Sequence, residues 1–255
     1  MSDILCERRD GCAIVTMNRP AQRNAMTLAM WRGVGEKFRE LDADASVRSI
    51  ILTGAGEDFC AGADIGEFAD VRDDTAQAVA YEEAVDFCCS AIAEAGKPVV
   101  AAVRGYCLGG GAHLAMSCDF RFAHEKAVFG IPAARLSIVY GVQGTRKLLA
   151  LVGLTEAKRI MYSAERFDAQ RALSTGFIDE MSQDPLKAAT AFCRKLSSSA
   201  PLSIRGAKYI LTSTALGTFE TAEADRLIDR AAASHDYREG RAAFAEKRPP
   251  RFRGE

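Results

Sequence analysis

Two glycine-rich segments hold the residues best suited to chemistry: Phe59-Cys60-Ala61-Gly62-Ala63-Asp64-Ile65, and Gly105-Tyr106-Cys107-Leu108-Gly109-Gly110-Gly111, which follows the apolar run Val99 to Val103. Glycine has no side chain to obstruct a ligand, and two backbone N–H groups brought together hold an oxygen that gains negative charge. Three residues beyond Gly110 stands His113, a side chain whose ordinary pKa of about 6.5 suits proton transfer at neutral pH. Cys60 and Cys107 flank the glycine segments, and small buried thiols are the expectation there rather than nucleophiles.

These segments need a scaffold, and the remaining chain supplies an α/β one. Ile4 to Arg9 and Cys12 to Met17, joined by Asp10-Gly11, read as a β-hairpin. Thr27 reads as the cap of a helix whose apolar residues Leu28, Trp31, Val34, Phe38 and Leu41 recur every three or four positions and form a core stripe. Strands are expected at Ser49 to Thr53, Val99 to Val103, Phe120 to Ala123, Ala127 to Phe129 and Phe177 to Met181, with helices from about 75 to 95 and from Gly109 through Met116. Thr155 and Asp168 read as helix caps, Gly176 as a helix stop, and residues from about 185 to 245 as helices broken at Pro201, with Pro249-Pro250 ending the order.

Composition narrows the class. The 255 residues are 48% hydrophobic and 26% charged, enough for one large core, and a net charge of −1 with interspersed signs offers no basic field for nucleic acid or a membrane surface. Eight cysteines without a C-x-x-C pair, and opening residues without a signal-peptide core, lead to the expectation of reduced thiols in the cytoplasm. Three histidines argue against a histidine-rich metal centre, so the expected metal set is none.

Asn18-Arg19-Pro20 with Asn24-Ala25-Met26, the two glycine segments, Cys118-Asp119, Phe129-Gly130-Ile131-Pro132, Ala172-Leu173 with Gly176-Phe177, and the tail from Asp236 through Phe252 resemble the crotonase, or enoyl-CoA hydratase/isomerase, family across nearly the whole chain. The resemblance implies a spiral of ββα repeats over residues 1–195, housing an acyl-CoA site, and a helical domain over 196–255 used for assembly into a homotrimer or a dimer of trimers. It implies an acyl-CoA thioester as substrate, with CoA carried in on it and no separate cofactor. By position it assigns the oxyanion-hole amides to Ala63 and Gly110, and the CoA site to Arg23, Asn24, Ala25, Ala61, Gly62, Asp64 and Ile65.

Two positions depart from the family pattern. Hydratases of this family use two glutamates to hold and activate water, and this chain has His113 and Ala133 there. Efficient hydration is therefore not expected, while the oxyanion hole alone suits decarboxylation of a malonyl-type thioester, in which loss of CO₂ supplies the electrons. Tyr140 falls where members resembling methylmalonyl-CoA decarboxylase place an active-site tyrosine, so His113 and Tyr140 are the expected catalytic side chains of that alternative. Arg135 is a candidate partner for an acyl carboxylate, Glu67 for a relocated base, and Lys247-Arg248 for a CoA phosphate. A non-catalytic acyl-CoA binder or assembly subunit is the alternative of another class.

Overall fold

The computed structural model describes residues 2–255. Asp10 and Gly11 take positive φ of 52° and 75°, turning β1 (Ile4–Arg9) back antiparallel onto β2 (Cys12–Met17) as the Asp-Gly pair predicts. The Thr27 hydroxyl accepts the Met30 amide and so caps α1 (Leu28–Ala43), whose Trp31, Val34, Phe38 and Leu41 are buried. After β3 (Ser49–Gly54), α2 (Phe68–Val71) and α3 (Thr75–Glu94) lead to β4 (Val99–Val103); Asp74 caps α3 by accepting the Gln77 amide.

The chain then coils through β5 (Tyr106–Leu108), α4 (Gly110–Ser117), β6 (Phe120–Ala123) and β7 (Val128–Gly130). Next come α5 (Val142–Ser163), β8 (Phe167–Asp168), α6 (Ala169–Ser174), β9 (Glu180–Met181) and α7 (Pro185–Leu196). Three helices finish it: α8 (Pro201–Leu216), α9 (Thr221–Ala233) and α10 (His235–Ala245).

One sheet has the order β1-β2-β3-β4-β6-β9 and a smaller one β5-β7-β8. β3 and β4 pair parallel and are covered on both faces, which their continuous apolar runs require. Ile50, Leu52, Val99, Ala101 and Val103 enter the main core with α1 and α3, whereas Ile51, Val100 and Ala102 meet Ala189 and Cys193 of α7 on the opposite face. Alternation along a strand thus builds two cores from one sheet.

Three local expectations change. Phe177 to Ile178 is not a strand, because the amides of both residues are spent on the Ala172 carbonyl and only Glu180–Met181 pairs with β6. Thr155 is not a cap: it lies within α5, whose interruption falls at Gly153 with φ of 73°. Order does not end at Pro249-Pro250, since the buried Asp236 carboxylate accepts the amides of Arg253 and Gly254 at 2.8 and 2.7 Å, and Glu239 accepts that of Arg251 at 2.8 Å. No helix among the described residues is long and apolar enough to cross a membrane.

Candidate active site

The two glycine segments lie side by side because their backbones bond to each other: the Cys60 amide donates to the Tyr106 carbonyl at 2.9 Å, and the Leu108 amide to the Cys60 carbonyl at 3.0 Å. Each segment then turns at a glycine with positive φ, Gly62 at 113° and Gly109 at 50°, a region that glycine alone enters freely. Ala63 and Gly110 follow these turns. The Ala63 nitrogen lies 3.4 Å from where a Cβ on Gly110 would stand. Among the described residues neither amide donates to a protein acceptor. Their peptide carbonyls are engaged: Gly62 accepts from the Met26 amide at 2.8 Å, and Gly109 from the His113 amide at 3.1 Å and the Tyr140 hydroxyl at 2.9 Å.

Both segments face a cavity of about 130 Å³ whose walls are largely apolar. Ala61, Gly62, Ala63, Ile65, Gly110, His113, Ala133 and Tyr140 all line it, so positions spread over eighty residues converge on one space. Trp31 forms part of its wall as well as of the core, with its indole N–H donating to the Tyr81 hydroxyl at 2.9 Å. His113 is only 3% exposed and its Nε2 has no partner. Burial, aided by the Lys147 ammonium, pushes its pKa down to about 3, so the imidazole is neutral at physiological pH. Burial likewise lifts Cys60 to about 12 and Cys107 well above the ordinary thiol range, so both are inert thiols.

Other candidates sit behind the wall. The Asn24 amide group donates to Ala55 and Asp58 carbonyls at 2.9 and 2.6 Å, and its oxygen accepts the Arg19 amide. Arg19 donates to the Ala25 carbonyl and the Asp64 carboxylate, and Asp64 also accepts the Gly66 amide. Arg23 lies over the Tyr106 ring at 4.8 Å. These four, Arg23, Asn24, Ala25 and Asp64, shape the loops around the cavity without lining it. The Glu67 carboxylate accepts the Leu28 amide at 2.6 Å at the start of α1, Arg135 is exposed, and Arg248 is paired with Glu239 and Glu246.

Sequence reasoning passed over two charged wall residues, Arg72 and Glu82. They form an ion pair of 2.7 Å, with the Arg72 guanidinium against the Phe68 and Tyr81 rings. No motif joins them, since a loop separates α2 from α3 and only folding brings the pair to the wall. Glu82 is the one carboxylate among the described lining residues.

Residues 7–255 match the model of the family described as enoyl-CoA hydratase/isomerase. The chain belongs to this family. The 2,3-dehydroadipyl-CoA hydratase of Escherichia coli is 32% identical over 264 residues, covering 100% of both chains. The short-chain-enoyl-CoA hydratase of Clostridium acetobutylicum is 32% identical over 253 residues, covering 97% of this chain and 96% of the relative. Among solved structures, the enoyl-CoA hydratase/carnithine racemase of Magnetospirillum magneticum superposes with a TM-score of 0.92 at 34% identity, covering 100% of this chain and 97% of the other. Membership in the enoyl-CoA hydratase/isomerase family agrees with the coiled β-β-α architecture and with the C-terminal helices.

Proposed function

We propose that this family member performs enolate chemistry on an acyl-CoA thioester, with the Ala63 and Gly110 amides gripping the thioester carbonyl. The observation that carries this reading is a pair of unpartnered amides, each after a positive-φ glycine, on the wall of one apolar cavity. Donors fixed in this way stabilise the charge that develops on the oxygen without having to reorganise.

Within that class, loss of CO₂ from a malonyl-type thioester fits the site best. The bond from Cα to the departing carboxylate breaks, CO₂ leaves, the electron pair passes into the enolate held by the two amides, and Cα then takes a proton from water. No base starts this reaction, and the two positions where the resemblance places glutamates hold a neutral His113 and Ala133. The cation on the cavity wall is Arg72, which an acyl carboxylate would have to share with its ion-pair partner Glu82, whereas Arg135 is exposed. A second reading has its own support: Glu82 is a wall carboxylate able to carry a proton between carbons near the thioester, the work of an isomerase.

The test is turnover followed by mass spectrometry with crotonyl-CoA, 3-hexenoyl-CoA, methylmalonyl-CoA and ethylmalonyl-CoA. CO₂ loss that survives Glu82→Gln supports decarboxylation; migration of the 3-hexenoyl double bond that Glu82→Gln abolishes supports isomerisation. Hydration of crotonyl-CoA contradicts the argument from His113 and Ala133, and saturable binding without turnover supports a non-catalytic acyl-CoA binder. We further propose that residues 196–255 serve assembly into a homotrimer or a dimer of trimers.

A further inference from the structure

We propose that Tyr140 is a positioning residue that aims and strengthens the Gly110 amide, rather than a proton donor to the substrate. This inference rests on the reading of Ala63 and Gly110 as the carbonyl grip. The Gly109 carbonyl and the Gly110 N–H belong to one planar peptide unit, so fixing the direction of the first fixes that of the second. The Tyr140 hydroxyl donates its proton to the Gly109 oxygen at 2.9 Å. Electron density drawn toward that oxygen increases the double-bond character of the C–N bond and makes the N–H a better donor, as in any chain of linked hydrogen bonds.

The two grip amides differ in how they are held. The Ala63 peptide is anchored by backbone, through the Met26 amide on the Gly62 carbonyl at 2.8 Å. The Gly110 peptide depends in addition on a side chain from a distant segment, 31 residues on. That side chain is itself locked in place. A Cβ on Gly144 would stand 2.6 Å from Tyr140 Cε1 and 3.3 Å from His113 Cδ2, so α5 leaves a gap at Gly144 for the tyrosine ring, whose centroid lies 5.8 Å from that of His113. Gly109 has φ of 50° and ψ of −112°, outside the helix it precedes, so its orientation is not set by helical bonding alone.

Cinnamoyl-CoA tests this, because polarisation of its conjugated thioester carbonyl moves its absorption to longer wavelength. At saturation the native protein should give a red shift, and Tyr140→Phe should bind the probe yet lose about a tenth to a third of that shift. Gly144→Ala, which leaves the hydroxyl but displaces the ring, should lose a similar part. Full red shift in both variants overturns the role given to Tyr140. No red shift in the native protein overturns the carbonyl grip itself, and the Tyr140 inference with it.

Discussion

At the scale of single residues, Gly110 is constrained twice. It supplies an amide, and its missing Cβ leaves room for Trp31, whose Cζ2 would lie 2.9 Å from that atom. Gly110→Ala should therefore lower stability by about 1–3 kcal/mol through overpacking. By blocking the approach to both amides it should cut thioester turnover about a hundredfold or more. Thermal unfolding beside steady-state rates separates the two effects. His113 gives a prediction in pH. Its pKa is about 3 when folded, against about 6.5 when unfolded, so between these values the unfolded chain binds a proton that the folded chain does not. Stability from this group is complete above about pH 6.5 and is lost as pH falls toward 3, by about 5 kcal/mol in all. Urea unfolding from about pH 7 to pH 4 should show this extra one-proton slope in the native chain and not in His113→Gln. Parallel curves would contradict the buried, neutral imidazole.

At the scale of elements, the parts legible in the sequence are those fixed by local chemistry. Asp10-Gly11 dictates its own turn, Thr27 its own cap, and the runs Ser49 to Thr53 and Val99 to Val103 their own burial. Phe177 to Ile178 misleads because its apolar residues read as a strand while the end of α6 takes their amides. The site divides in the same way. Ala63, Gly110 and His113 lie beside glycines that announce themselves, whereas Arg72 and Glu82 reach the cavity only through the packing of α3 against α1 and of α2 against α3. Trp31 satisfied the helical period and so read as core, a role it combines with lining the cavity. The tail after Pro250 was illegible because its anchor, Asp236, accepts backbone amides that carry no sequence signature. Asp236→Ala should leave the amides of Arg253 and Gly254 without their acceptor and cost about 1–3 kcal/mol. Chemical denaturation measures that loss, and hydrogen exchange should rise first in α10 and the tail.

At the scale of the whole molecule, the coiled sheet brings residues from Trp31 to Tyr140 around one cavity, and the helices α8 to α10 stand apart from its walls. If those helices serve assembly, sedimentation equilibrium should give three or six times the chain mass of 27.5 kDa, and a single-chain mass would contradict that role. The carbonyl grip by the Ala63 and Gly110 amides is testable by isotope-edited infrared spectroscopy of crotonyl-CoA carrying ¹³C at the thioester carbonyl. On binding to the native protein, the carbonyl stretch should move to lower frequency, and Gly110→Ala should abolish that movement. A stretch that stays at its solution frequency with the ligand bound would contradict a grip by these two amides.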